Sequence, residues 1–227
     1  ARAGADSYLC HHYSSPLLKL RLGIDQIQSV NWNEDIYLNG VKLSLHPAAH
    51  IIGSSQVRLE YKGEVWVVTG DFKTEDDRIS GSFQPLKCNT LITESTFGLP
   101  VYRWKRQHQL YEEIQQWAQR NINDQRTPVL FAYSLGKAQR VIQAVSAITK
   151  KIYLHGAIWN VQETLRLNGF KFPQVELVRP EMKRDTFRDA VIVAPPSAFG
   201  SSWLRKFQPF TTAVCSGWMQ IRGNIRR

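Results

Sequence analysis

Apolar and polar positions alternate along much of the first hundred residues, which is typical of β-strands with one buried face. Two hairpins are expected, each joining two such stretches through a two-residue turn: 35–38 and 41–45 through Asn39-Gly40, and 56–61 and 64–69 through Lys62-Gly63. Asn-Gly is the strongest short-range signal for a hairpin turn. A further short strand is predicted over residues 90–93, so this part of the chain should be rich in β-structure.

After Trp104 the spacing of apolar residues changes to one in which helices alternate with strands. An amphipathic helix is predicted from about Gln107 to Asn121, with Leu110, Ile114 and Trp117 on one face. Further elements follow: strands over 128–133, 151–154, 175–178 and 190–194, and helices over 136–149 and 158–168. Helices between apolar strands imply crossover connections, which predict a parallel sheet. One more strand is expected over 211–215, before a basic run at 222–227.

Composition indicates an ordinary globular protein, with 43% hydrophobic and 21% charged residues. No apolar run approaches the roughly 20 residues of a membrane span, so we expect a soluble protein. Three widely spaced cysteines without a C-x-x-C pattern favour a reducing, cytoplasmic location. The chain begins at Ala1 without methionine or an apolar leader, so we expect an upstream segment to have been removed.

The formal net charge of +10 changes this picture, because a strongly basic protein attracts polyanions. Nucleic acid is the partner that this charge favours. A merely basic surface explains the charge equally well, since net charge speaks to association and not to fold.

Candidate chemistry is densest between His46 and Lys73. His46-Pro47-Ala48-Ala49-His50 follows one strand, and Gly70-Asp71-Phe72-Lys73 follows another, so two strand ends each supply a potential metal ligand. Imidazole suits zinc or manganese, and a carboxylate can bridge two cations. Taken singly these residues are weak signals, because histidine beside proline and Gly-Asp are common in ordinary loops.

In combination these segments resemble a known family. His46 to Ser54 and Gly70 to Lys73 are similar to the third and fourth metal-ligand motifs of metallo-β-lactamase-fold nucleases with a β-CASP domain. The segments 94–98 and 131–139 resemble the first β-CASP motif and the strand-to-helix turn of the β-CASP insert. Two further segments, 99–104 and 216–223, are similar to the bacterial ligase-associated DNA exonucleases.

The resemblance implies an α/β chain made of a partial metallo-β-lactamase αββα sandwich with an inserted β-CASP parallel-sheet domain. The implied domains are 1–104 for the metallo-β-lactamase part, 105–210 for the insert and 211–227 for the start of the return. It also implies a hydrolase that uses two divalent metal ions, zinc or manganese. His50 would bind a metal, Asp71 would bridge both, and Glu94 would lie beside the site, with His46 as a structural neighbour.

The chain also departs from this family. The His-x-His-x-Asp-His cluster that supplies most metal ligands is absent, and Ala1 to Gly4 resemble the residues that follow it. Two histidines that follow the Ser-Gly-Trp segment in the family are absent as well. We therefore expect a fragment that lacks both ends, with an incomplete metal site, and an inactive chain is one interpretation.

Other polar residues have weaker claims. The turn 134–136 could present backbone N–H groups to a phosphate, with added charge from Lys137 and Arg140, but an ordinary helix start accounts for it equally well. The predicted substrate-binding residues are Ser134, Lys137, Arg140, Ser216, Trp218 and Arg222. The neighbours His11 and His12 are interpreted as surface residues, and His155 and His108 as residues without a metal role.

The favoured function is hydrolysis of DNA from an end, in a repair setting with a DNA ligase or helicase as a functional partner. An RNA-processing nuclease of the same fold is the first alternative, because the motifs that set the chemistry are shared. A non-catalytic nucleic-acid-binding fragment is the second. The surviving His50, Asp71 and Glu94 favour an enzyme, and the missing histidines favour the binding fragment.

Overall fold

The computed structural model describes residues 4–218 and divides the chain into two compact units, Ala1–Leu99 and Pro100–Arg227. The division falls a few residues before the predicted boundary at 104. The chain is α/β, with antiparallel and parallel strand pairs in the first unit and parallel pairs in the second.

The first unit opens with a strand-helix-strand segment. Strands β1 (Tyr8–His11) and β2 (Ile27–Val30) are parallel, and helix α1 (Ser15–Leu22) connects them. Proline lies in the first turn of α1, and Gly23 ends the helix with a φ of 63°. A proline near the start and a glycine just after the end were the sequence signals of this helix, which the strand pattern alone did not reveal.

A five-stranded sheet forms the rest of the first unit. Its strands are β3 (Ile36–Leu38), β4 (Val41–Pro47), β5 (Ser55–Tyr61), β6 (Glu64–Val68) and β7 (Thr90–Ile92), in the order β3-β4-β5-β6-β7. The first three pairings are antiparallel, and β6 and β7 are parallel. Both predicted hairpins are confirmed. At each turn both residues have positive φ, 51° and 79° at Asn39-Gly40 and 49° and 84° at Lys62-Gly63, as a two-residue turn with the twist of the flanking strands requires.

One face of this sheet is almost entirely apolar. Because side chains alternate along strands, the strand pairing places on that face Ile36, Leu38, Val41, Leu43, Leu45, Val57, Leu59, Tyr61, Trp66, Val68 and Ile92. Of these, only Leu45 is buried, and four are exposed: Leu38, Tyr61, Trp66 and Ile92. The opposite face carries polar residues, including the buried Ser44, His46 and Gln56.

The second unit is built on a parallel sheet. Its strands are β8 (Thr127–Phe131), β9 (Ile152–Leu154), β10 (Glu176–Leu177), β11 (Val191–Ala194) and β12 (Phe210–Val214), in the order β10-β9-β11-β8-β12. Its helices are α2 (Gln107–Asn123), α3 (Lys137–Val145) and α4 (Gly156–Leu167). Every pairing in this sheet is parallel, which confirms the prediction from the alternating pattern.

Both faces of the second sheet are covered. Helices α2, α3 and α4 pack on one face, against side chains such as Leu130, Leu154 and Val193. Short 3₁₀ segments pack on the other face, where Phe187 and Phe207 lie against Ile192. All four residues of β11 are therefore buried, as expected for a central parallel strand.

Strand β12 pairs with β8 along five residues and so belongs to the second sheet. This differs from the predicted assignment of 211–227 to a returning segment of the first domain. The physical reason is that residues 210–214 complete the hydrogen-bond ladder on the open side of β8. Among the described residues, no helix is long and apolar enough to cross a membrane.

Candidate metal centre and nucleic-acid-binding edge

The two predicted metal ligands of the first unit lie together. His50 follows β4 and Asp71 follows β6, and the Nε2 atom of His50 lies 3.8 Å from an Asp71 carboxylate oxygen. Their side chains are 43% and 67% exposed. Both can therefore reach an ion or a substrate from solvent.

Ser54 holds the loop that carries His50. Its hydroxyl accepts hydrogen bonds from the backbone N–H groups of His50 at 2.9 Å and Ile51 at 3.2 Å. The Ser54 carbonyl also accepts the Ala48 N–H at 2.9 Å. These bonds close the loop into a compact turn, which fixes the point from which the imidazole projects.

The same loop is fastened to the start of α1. The Ser14 hydroxyl donates to the Gly53 carbonyl at 2.7 Å. Gly53 has a φ of 77°, and a Cβ atom there would lie 2.4 Å from the Ser14 hydroxyl and 2.7 Å from its backbone nitrogen. Only glycine fits this close approach without a shift of the backbone.

The loops of His50 and Asp71 are bonded to each other. The Lys73 N–H donates to the Ala48 carbonyl at 3.0 Å. One hydrogen bond thus joins the two segments that carry the imidazole and the carboxylate, and their spacing is set by backbone structure.

Glu94 lies beside this pair, just after β7. Its carboxylate accepts the Thr96 N–H at 2.7 Å. Burial raises the pKa of the Glu94 carboxyl, but hydrogen bonds from Thr96 and the Phe72 backbone, with the His50 ring nearby, outweigh it and lower the pKa overall. The Glu94 carboxyl is therefore ionised. It accepts a hydrogen bond from the backbone of Phe72, the residue next to Asp71.

Two other histidines of the first unit are buried. His46 shares a hydrogen bond of 2.9 Å with the Ser44 hydroxyl. Burial lowers the pKa of His46, and this effect outweighs a hydrogen bond with Gln84 that raises it.

The interpretation of His11 as a surface residue is wrong: its ring is fully buried and stacks on Trp32 with 3.5 Å between ring centroids. Burial, reinforced by the neighbouring His12, lowers the pKa of His11 to about 4. His12 is exposed, as expected.

The metal-binding side chains in the described part of the chain can supply only some of the ligands that a metal site needs. Residues 4–218 bring together no group of three or more His, Cys, Asp or Glu side chains that could hold an ion. A structural or catalytic zinc needs three or four protein ligands, and a dinuclear site needs more. His50 and Asp71 supply one nitrogen donor and one carboxylate, so a complete centre requires further ligands.

The predicted substrate-binding residues of the second unit gather at the carboxyl edge of its sheet. Ser134, Lys137 and Arg140 follow β8, and Ser216 and Trp218 follow β12, which is hydrogen-bonded to β8. The Cys215 N–H donates to the Phe131 carbonyl at 2.8 Å, so the ladder continues to the start of this segment. Arg222 lies outside the described residues.

Lys137 is the most perturbed cation of this edge. Burial lowers its pKa, and Arg140 acts in the same direction, while Cys215 opposes them. Its ammonium group lies 5.1 Å from the centre of the Tyr133 ring. Below it, the buried Gln139 accepts the Gly136 N–H at 2.7 Å, which secures the turn that leads into α3.

His155 serves the fold at the same edge. Its ring accepts the Ala157 N–H at 3.1 Å and so caps α4, and burial lowers its pKa. The Trp203 ring packs on it edge to face, at 4.9 Å between centroids. His108 is exposed on α2.

Charge is divided unevenly between the units. Residues 1–99 contain 9 Lys and Arg against 11 Asp and Glu, and residues 100–227 contain 20 against 8, which together give the 29 and 19 of the chain. The excess of positive charge therefore belongs to the second unit, where a polyanion would be attracted.

Several known proteins with similar sequences are nucleic-acid enzymes or processing factors by name. The chain is 30% identical to a probable DNA ligase of Opitutus terrae, over 98% of this chain and 22% of that protein. It is 31% identical to endoribonuclease YSH1 of Saccharomyces cerevisiae, and 29% identical to cleavage and polyadenylation specificity factor subunit 3 of Dictyostelium discoideum. Each of these two matches covers 52% of this chain and 15% of the relative.

The chain thus spans about a fifth or less of the length of these curated relatives. No family model matches it. The similarities support a relationship to the β-CASP nucleases of the metallo-β-lactamase type.

Proposed function

We propose that this chain forms part of a metal-dependent nuclease that hydrolyses phosphodiester bonds in DNA, acting from an end. The observation that carries the proposal is the His50–Asp71 pair, 3.8 Å apart on two loops that are hydrogen-bonded to each other. The second unit has a large excess of positive charge, which would attract a polyanionic substrate.

His50 and Asp71 would hold divalent ions, zinc or manganese, together with ligands from outside this chain, since residues 1–3 and 219–227 contain no His, Cys, Asp or Glu. Such ions, when bound, lower the pKa of water for attack on phosphorus and neutralise charge on the phosphoryl oxygens. The donor set suits these ions, because imidazole nitrogen and carboxylate oxygen are ligands that both accept.

The remaining roles fall to the protein itself. Glu94, ionised and bonded to the Phe72 N–H, would keep the Asp71 loop in place. Lys137 and Arg140 would bind backbone phosphates, with Ser134 and Ser216 as hydroxyl donors. Trp218, 40% exposed, would contact a base, and Arg222 would add charge at the end of the chain.

RNA is the alternative substrate, and the names of two relatives favour it: an endoribonuclease and a cleavage and polyadenylation factor. The DNA proposal is supported by similarity to a probable DNA ligase over 98% of the chain. The resemblance to ligase-associated exonucleases motivates a DNA ligase or helicase as a functional partner, and the three widely spaced cysteines motivate a cytoplasmic setting. A binding fragment without catalytic activity is a third candidate, which the small number of described donors favours.

The test combines metal content with cleavage. The purified chain is analysed for bound metal, and end-labelled single-stranded DNA and RNA are incubated with it in zinc or manganese. DNA cleavage by the chain would support the nuclease proposal, and Asp71→Ala should abolish it. Asp25→Asn, at an exposed aspartate of the same unit, is the matched control and should leave the rate unchanged.

Each result has a defined meaning. Faster cleavage of RNA than of DNA would make RNA, and not DNA, the proposed substrate. An unchanged rate in Asp71→Ala would remove the proposed site. Binding of nucleic acid without metal or cleavage would leave the third candidate, a binding fragment.

A further inference from the structure

Three neighbouring strands of the second sheet end at one level. The Ala132 N–H, just after β8, donates to the Ala194 carbonyl of β11 at 2.9 Å, and the His155 N–H, just after β9, donates to the Val193 carbonyl at 3.0 Å. Neighbouring strands lie about 4.8 Å apart. The residues that follow β9, β11 and β8 therefore share a narrow edge.

Two of these strand ends lead to exposed aromatic rings. Tyr133 follows β8 and is 53% exposed, and Phe199 follows the short turn after β11 and is 63% exposed. Strands β8 and β11 are adjacent, so both rings stand at the same edge of the sheet and offer apolar surface to an aromatic partner.

Both rings are held by their surroundings. The Phe199 ring packs edge to face on the buried Phe131, at 5.5 Å between centroids. The Lys137 ammonium group stands 5.1 Å from the Tyr133 ring centre. These contacts already restrict the position of each ring, so little side-chain freedom would be lost when a base stacks on it.

Charge decides which partner fits this edge. Lys137 and Arg140 lie on the first turn of the adjacent helix, in a unit with 20 Lys and Arg against 8 Asp and Glu. Exposed rings beside cations match a strand whose bases are free to stack and whose backbone is anionic. A duplex keeps its base faces covered, so it cannot use such rings.

We propose that the carboxyl edge of the second sheet binds single-stranded nucleic acid, with bases stacked on Tyr133 and Phe199 and a phosphate on Lys137. The inference rests on the proposed nuclease function and adds two aromatic residues on which bases of the substrate stack. Neither aromatic residue lies among those that the sequence predicts for substrate binding.

The test measures binding of a fluorescent single-stranded oligonucleotide to the whole chain in EDTA, so that cleavage does not contribute. Tyr133→Leu and Phe199→Leu keep an apolar side chain but remove the ring. Each should weaken binding about 5- to 100-fold, the usual range for one stacked base. Tyr37→Leu, at a tyrosine of the first unit that is 69% exposed, is the matched control and should bind like the wild type.

A strand of the same length without bases separates stacking from charge. The wild type and both ring variants should bind it equally, whereas Lys137→Gln should weaken binding to both strands and lower the salt dependence by about one phosphate contact. Thermal unfolding of each variant shows whether the fold is retained.

Equal losses on both strands, no loss in the ring variants, or no binding by the wild type would overturn the inference. None of these results touches the Asp71-dependent cleavage, which the experiment with metal measures separately.

Discussion

Charge and packing are distributed in opposite ways over the two units. The first unit holds the paired donors His50 and Asp71, has slightly more acidic than basic residues, and leaves one apolar face of its sheet only partly buried. The second unit is strongly basic and covers both faces of its sheet. Under the proposed function, the chemistry would belong to the first unit and retention of the polyanion to the second.

Packing offers the largest measurable difference between the units. Ile192 is fully buried in the central strand β11, whereas Leu59 lies half-buried on the apolar face of the first sheet. We expect Ile192→Ala to lower the free energy of unfolding by about 2–5 kcal/mol. Leu59→Ala should cost about 1 kcal/mol, because less apolar area is lost. Urea denaturation measures both, and equal losses would show that the first sheet is as well covered in solution as the second.

The loop that carries His50 in the first unit provides the next test. Gly53→Ala introduces a side chain at positive φ and against the Ser14 backbone, so we expect a loss of about 2–3 kcal/mol in the free energy of unfolding. Gly63→Ala is the matched control, since its φ of 84° gives the same kind of strain but no atom lies within 4 Å. It should cost about 1 kcal/mol. Similar losses in thermal or urea unfolding would mean that the Ser14–Gly53 contact adds no constraint.

Charge gives the smallest effect and the most direct comparison. Replacing the exposed Lys183 and Arg184 of the second unit by glutamine should weaken binding of a single-stranded oligonucleotide a few-fold. It should also lower the slope of log affinity against log salt by about two. The same change at the exposed Lys19 and Arg21 of the first unit should leave the slope unchanged. If both double variants lower the slope of log affinity against log salt equally, binding of the polyanion is not confined to the second unit.

Local sequence signals predicted the regular part of the fold. Asn39-Gly40 set the first hairpin turn, and alternating apolar segments after Trp104 identified the parallel sheet. The approach of His50 and Asp71 also followed from sequence, because both residues stand at ends of neighbouring strand pairs. Their role as metal ligands stays a prediction.

Long-range packing was beyond the reach of the sequence. His11 is buried because Trp32, which follows the neighbouring strand, stacks on it, and no local pattern signals that contact. The placement of Tyr133 and Phe199 at one edge of the sheet depends on strand order, which puts β11 beside β8 although 59 residues separate Phe131 from Val191 along the chain. Sequence spacing alone does not fix that order.

The position of β11 also governs when the second unit can assemble. Because β11 lies between β9 and β8, these two earlier strands have no shared edge and must wait until residues 191–194 have left the ribosome. The hairpins of the first unit, with partners only a few residues apart, can pair much earlier in synthesis. During translation the segment from 127 to 190 therefore carries apolar strands without their partner, and this interval is when the chain is most exposed to aggregation.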